Sequence, residues 1–288
     1  MSNYVIFTDS ACDISPELLK EWNVQYLNLS FKFTDSDIEQ TNESVPIGQF
    51  YNAMRDGKVA KTSAISVGAF KEAFEKILKT GKDILYIAFS SGLSTTYNSA
   101  VIAAEDLKDE YKDNKIICVD TLSASAGFGL LLKMVVDKAN EGADIDTAAE
   151  YALNLRENLC HWFTVDDLVY LKRGGRISPT VAFVGGILGV KPVLHMDNEG
   201  HLINKFKVRG RKAAIAALAD QYEKKAKVVL GGKVFISHGD CIDDANLLAK
   251  ILKEKYNVTT ELITYVGAVI GAHSGPGTLA LFFVGKER

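Results

Sequence analysis

Short apolar runs bounded by polar turns alternate with longer stretches of helical spacing along most of this chain. Tyr4 to Phe7 reads as a strand that stops at Thr8-Asp9-Ser10, and Asp13 with Pro16 signals a turn and a helix start. Val24 to Phe33 alternates well enough for a second strand, and a polar loop with two acidic clusters leads to a helix near Gly48 to Arg55. A helix over Val67 to Leu78 follows, then a buried strand, Asp83 to Phe89, which runs into Ser90-Ser91-Gly92-Leu93-Ser94 and a helix reaching about Leu107. The strand Ile116 to Val119 and helices over Ser123 to Lys138 and Ile145 to Asn158 complete a β/α alternation. That order predicts a largely parallel sheet covered on both faces.

After His161 the pattern changes. A short helix around Leu168 to Leu171 ends at Gly174-Gly175, and a glycine-containing apolar segment runs from Val181 to Val190. Two strands, Pro192 to Met196 and His201 to Val208, flank the turn Asp197-Asn198-Glu199-Gly200 and predict a hairpin. A helix over Arg211 to Lys224, a strand Lys233 to Ser237, a helix Asp243 to Lys255, a strand Leu262 to Tyr265 and a terminal strand Thr278 to Val284 make a second unit. The expected fold is therefore α/β with two α/β domains, residues 1–160 around a largely parallel sheet and residues 161–288 around a mixed sheet with helices. The final strand could join either sheet.

Composition narrows the options. At 288 residues, 47% hydrophobic and 24% charged, the chain can bury a large core and still line a pocket. No basic n-region or apolar h-region follows Met1, and the most apolar stretches are too short or too broken to span a bilayer, so a cytoplasmic protein without a membrane span is expected. The four cysteines are far apart and form no C-x-x-C, which suggests neither a zinc site nor a disulfide framework. No His, Cys, Asp and Glu group has metal-ligand spacing, so no metal and no cofactor are expected. Net charge is −3, but residues 1–160 carry 15 Lys+Arg against 24 Asp+Glu while residues 161–288 carry 18 against 12. The positive excess between Lys172 and Lys212, with Arg173, Arg176, Lys191, Lys205, Lys207, Arg209 and Arg211, is either a solvated basic face or a surface for an anion or acidic partner. No nucleic-acid motif accompanies it.

The segment from Phe89 to Ala100 holds the clearest chemistry. A buried strand stops at small hydroxylated residues where a helix begins, placing Ser91, Ser94 and Thr95 near free N–H groups and the positive end of a helix dipole. A carboxylate or phosphate would be well placed there; equally, Ser91 or Ser94 could be a plain helix cap. The pattern G-x-S-x-G fails at Thr96, and neither a Walker A sequence nor a G-x-G-x-x-G is present. Lys61-Thr62-Ser63 forms a second hydroxyl cluster before the helix at Val67. Ala272-His273-Ser274-Gly275-Pro276-Gly277 reads as a tight loop presenting the His273 ring, and Lys205, Lys207 and Arg209 alternate onto one face of a strand.

Taken in order, TDSACD, KTSAIS, SSGLSTTYNSA, LVYLKRGGRIS, KPVL, KFKVRGRKAA, ISHGD and AHSGPGTLALFF resemble the DegV family over nearly the whole chain. Members of that family include the fatty-acid-binding subunit of bacterial fatty acid kinase. The resemblance implies a long-chain fatty acid such as palmitate in a tunnel between the two domains, with residues 161–288 enclosing the tail. It implies carboxylate binding by the hydroxyls of Thr62 and Ser94, with Ser63, Ser91 and His273 close by. Arg209 would face the head group or a separate ATP-dependent kinase that makes the acyl phosphate, so this chain would supply substrate for phospholipid metabolism and no catalysis of its own. Ala64-Ile65 replaces the family's usual Gln-Pro pair, and Thr95 replaces a glycine of SGLSGTY. The segment Ala182 to Val190 could line or cover the tunnel or form a buried core helix. From another class, a serine acyl hydrolase using Ser94 with His273 is the alternative.

Overall fold

In the computed structural model, residues 3–177 and 189–288 are described. Four strands, β1 (Tyr4–Asp9), β2 (Gln25–Leu27), β6 (Asp83–Ala88) and β7 (Ile116–Asp120), form a parallel sheet in the order β2-β1-β6-β7. From Ile84 to Ala88 β6 is wholly buried, as a central parallel strand with both faces covered must be. The helices Val67–Leu78 and Thr96–Leu107 pack together on this sheet, and the helices Ser125–Asn140 and Ile145–Arg156 form another packed pair against it. Side-chain caps fix three helix starts: Ser15 accepts from the Leu18 N–H, Ser66 from Ala69 and Asp144 from Thr147.

Six strands, β8 (Leu159–Thr164), β9 (Val190–Met196), β10 (Leu202–Arg209), β11 (Lys233–His238), β12 (Thr259–Tyr265) and β13 (Leu279–Val284), make a mixed sheet ordered β10-β9-β8-β13-β11-β12. The terminal strand thus enters this sheet, antiparallel to both β8 and β11. Strand alternation divides its side chains. Cys160, Trp162, Leu281 and Phe283 join the core built with the helices Arg211–Lys225 and Ile242–Tyr256, whereas Phe163, Leu194, Phe235 and Phe282 join the core of the first sheet. The helix Ser125–Asn140 is the element both sheets share: it packs on β8, β11 and β13 and carries an unbroken buried run from Ser125 to Leu132. A helix apolar around most of its circumference is stable only when enclosed in this way.

Two expectations need correction. Val24 to Phe33 is two strands, not one, because Gln25–Leu27 pairs with β1 while β3 (Ser30–Phe33) turns away into a separate antiparallel sheet with β4 (Gln40–Thr41) and β5 (Ala60–Ser63). The break falls at Leu29, buried, with its N–H donating to Ser10 Oγ at 3.0 Å. In addition, His273 does not sit in a loop: Ala268–Ser274 is a short helix. With the helix Ile47–Arg55 and the three-stranded sheet it encloses a small aromatic core of Phe31, Phe33, Phe50 and Tyr51, and the Tyr51 hydroxyl donates to the Val266 carbonyl at 2.6 Å. Of the apolar segments expected at Val181 to Val190 and Ala182 to Val190, residues 181–188 lie outside the described residues; Val190 opens β9.

Candidate functional site

The loop after β6 is pinned from several directions. Asp9, at the end of β1, accepts from the Phe89 N–H at 3.0 Å and the Tyr86 hydroxyl at 2.7 Å, so the ends of the two central strands are tied by one buried carboxylate. Burial raises its pKa to about 6, partly offset by those donors. Ser90 Oγ donates to the Gly200 carbonyl at 2.9 Å, fastening the loop to the turn between β9 and β10. Gly92 is required by this approach, since a Cβ there would lie 2.7 Å from the Glu199 carbonyl oxygen. Sequence spacing placed the hydroxyls at the helix start but gave no sign of this partner.

The loop leads into the helix Thr96–Leu107, whose N-cap, Thr95, makes no side-chain cap bond. Ser94 Oγ instead accepts from the Thr96 N–H at 3.2 Å and pairs with Thr96 Oγ1 at 2.9 Å. The remaining first-turn N–H groups have no intrahelical acceptor. Opposite them, the three-stranded sheet presents Thr62 on β5, and the short helix presents His273. Thr62 Oγ1 and His273 Nε2 are 2.8 Å apart. Burial, with a smaller contribution from the Arg176 charge, lowers the His273 pKa to about 4, so its ring is neutral at pH 7. Gly174, the last residue against this ring, leaves the space His273 occupies: a Cβ there would be 2.1 Å from Nδ1.

Arg176 is the residue sequence reasoning did not assign. It was legible as one cation in a basic run, and the chain folds it back so that Nε donates to the Leu93 carbonyl at 3.1 Å and Nη1 to the Gly174 carbonyl at 2.5 Å. Among the described residues no carboxylate pairs with it, so a half-buried guanidinium stands beside the hydroxyls without a counter-charge.

Thr62, Ser63, Ser91, Ser94, His273 and Arg176 all line one cavity of about 550 Å³. Its other walls are largely apolar, with Phe163, Met196 and Phe282 from the mixed sheet, Phe89 from just past β6, Leu29 from the break between β2 and β3, and Ile270 from the short helix. That volume is in the range of sites that enclose small organic ligands. Arg209 is exposed at the end of β10 and is not among the lining residues. His273 is bonded to Thr62 and Ser94 to Thr96, so the described residues contain no Ser94–His273 hydrogen bond of the kind a serine hydrolase uses. Also among the described residues, no helix is long and apolar enough to cross a membrane and no cluster of His, Cys, Asp or Glu could hold a metal ion.

A family model described as uncharacterised proteins of the DegV family matches residues 3–286. A DegV domain-containing protein of Clostridium perfringens is 42% identical over 289 residues, covering 100% of this chain and 99% of that one. Among solved structures, a DegV lipid binding protein from Thermotoga maritima is similar at a TM-score of 0.86 and 31% identity, with full coverage of both chains. A DegV family protein from Thermus thermophilus, described by its fatty acid binding, superposes at a TM-score of 0.87 and 26% identity, covering 97% of this chain and 98% of that one.

Proposed function

The chain belongs to the DegV family, and from that premise we propose that it binds one long-chain fatty acid, with the carboxylate at Thr62, Ser94 and Arg176 and the tail in the apolar cavity. The observation that carries this reading is that Arg176, which no carboxylate pairs among the described residues, lines one largely apolar cavity together with the hydroxyls of Thr62 and Ser94 and the start of the helix Thr96–Leu107. A cation and several donors converging beside a dry volume are complementary to a carboxylate attached to a hydrocarbon. A free phosphate would use the donors but leave the apolar walls unfilled. Relatives described as lipid or fatty acid binding support the same ligand class.

On this reading the protein is a carrier. The carboxylate lies among half-buried groups, where a separate ATP-dependent kinase could reach it to form an acyl phosphate, and the exposed cations at Lys205, Lys207 and Arg209 on β10 are the surface proposed to meet that partner. Palmitate is the representative ligand, and with a proposed domain boundary near residue 160, Thr62 and Ser94 meet the head group from one side of it and Arg176 and His273 from the other.

Extraction of the purified protein with organic solvent and mass spectrometry of the extract tests the ligand class. An intact long-chain fatty acid in stoichiometric amount is expected, and delipidated protein should rebind it. Failure of delipidated protein to bind any fatty acid, or hydrolysis of acyl esters that is abolished by Ser94→Ala, would reject the carrier reading.

A further inference from the structure

The same cavity has a second group of polar residues, more deeply buried than the first and not needed for a carboxylate. We propose that His161 and the uncapped start of the helix Ser125–Asn140 form a second, interior subsite, and that it takes an acyl chain bearing a hydroxyl group remote from its carboxylate. This rests on the fatty-acid reading of the cavity and names a chemical class within it.

His161 lies on β8 with 3% of its surface exposed, and it lines the cavity. Its Nδ1 is 3.1 Å from the Leu159 carbonyl, an acceptor, so Nδ1 bears the proton and Nε2 presents a lone pair. Among the described residues Nε2 has no hydrogen-bond partner. It faces the first turn of the helix, where a Cβ on Gly127 would come within 2.5 Å of it. A glycine at that place brings the ring edge close to the helix backbone.

The helix itself starts without a cap: Ala124 supplies no side-chain bond. Ser125, the residue that might have capped it, has a φ of 54° and turns elsewhere, donating to Asp13 Oδ2 at 2.5 Å and pairing with Ser237 Oγ at 3.0 Å. First-turn N–H groups of an uncapped helix are free donors. One region of the wall therefore offers backbone donors and, beside them, an imidazole acceptor.

A hydroxyl both accepts and donates and satisfies the two together. A ketone would leave Nε2 unpaired, and a second carboxylate would meet the buried Asp13 one hydrogen bond away from Ser125. An unsubstituted tail would leave a buried lone pair facing methylene groups, which is the costly arrangement.

Delipidated protein would be titrated calorimetrically with octadecanoic acid and with a positional series of hydroxyoctadecanoic acids, for the wild type and for His161→Phe. One hydroxyl position is expected to bind roughly ten-fold tighter than the parent acid, as one recovered buried hydrogen bond gives. His161→Phe should erase that gain, so that within the variant no hydroxy acid binds tighter than octadecanoic acid. If every hydroxy acid binds as weakly as the parent or more weakly, water satisfies the group and the proposal is overturned. That wild-type series decides the matter even if His161→Phe does not fold. Failure of the wild type to bind octadecanoic acid at all would instead refute the fatty-acid reading.

Discussion

Replacing Gly174 by alanine isolates the contact between Thr62 and His273 without touching either residue. Gly174 closes the helix Val169–Arg173 with a φ of −72°, a conformation alanine adopts freely, so the backbone has no reason to move. The added Cβ would lie 2.1 Å from His273 Nδ1 and 3.1 Å from its Cγ, against an ordinary contact of 3.4 Å or more. The ring must retreat by over an ångström, which breaks its 2.8 Å bond to Thr62 and frees the hydroxyl that is to orient the carboxylate. A hydrogen bond to a charged group contributes about 1.5 to 3 kcal/mol, so fatty acid affinity should fall roughly ten- to hundred-fold. Titration calorimetry on delipidated protein measures this, with thermal unfolding of the free protein as the control that the variant is folded at the temperature of the titration. The cycle with His273→Ala makes the test specific: once the imidazole is gone, Gly174→Ala should have no further effect. Unchanged affinity in the single variant, or an equal loss in the His273→Ala background, would refute the argument.

The other predictions follow from the same geometry. Thr62→Ala and Ser94→Ala should each weaken fatty acid binding by about 0.5 to 3 kcal/mol, read by competition with a fluorescent acid; no change in either would remove the hydroxyls from the site. Arg176→Gln should cost at least as much as either, because it removes the charge that no carboxylate pairs among the described residues and the two bonds to the Leu93 and Gly174 carbonyls that hold it in place. Burial raises the Asp13 pKa to about 7 from an ordinary 3.8, a contribution fully present below pH 3.8 and lost as pH rises through 7. Asp13→Asn, which tolerates the φ of 52° there, should therefore stabilise the protein increasingly across that interval, by up to about 4 kcal/mol at pH 8 in denaturant unfolding; a pH-independent difference would contradict it. On the proposed carrier reading, Arg209→Ala should reduce acyl phosphate formation by the proposed kinase partner and leave fatty acid affinity unaltered, as measured with the two proteins together.

What could be read from the sequence was whatever local pattern controls. The buried run from Asp83 to Phe89 followed by hydroxyls is legible because a central parallel strand must be apolar on both faces and a helix start favours Ser and Thr. The helix bearing His273 was not, since seven residues with Gly267 and Gly275 at its ends are too few to show a period, and the glycines read as a loop. Nor could alternation reveal that Gln25–Leu27 and Ser30–Phe33 serve different sheets, because period two is common to both. Arg176 and His161 show a third limit. Their types were visible, one in a basic run and one in the wholly buried strand LCHWFT, but their roles depend on tertiary neighbours, the Leu93 carbonyl for one and Gly127 for the other.

A division of labour between tail and head follows from the magnitudes. Burying about 15 methylenes at ~0.8 kcal/mol each yields roughly 12 kcal/mol before association costs, so the apolar walls supply most of the gross favourable term. The polar wall then has a different task, that of deciding which end of the acid faces outward. Its groups suit that task because each would be poorly satisfied by hydrocarbon: among the described residues Arg176 has no counter-charge, and Thr95 at the start of the helix Thr96–Leu107 makes no side-chain cap bond. Reversing the ligand would put methyl and methylene groups against these donors and a carboxylate against Phe163 and Phe282, a double penalty of several kcal/mol. Orientation is therefore more sensitive to mutation of the half-buried wall than total affinity is. Weakening the head-group contacts one at a time should therefore produce variants whose fatty acid binds less tightly and in mixed orientation, rather than variants that lose the ligand altogether.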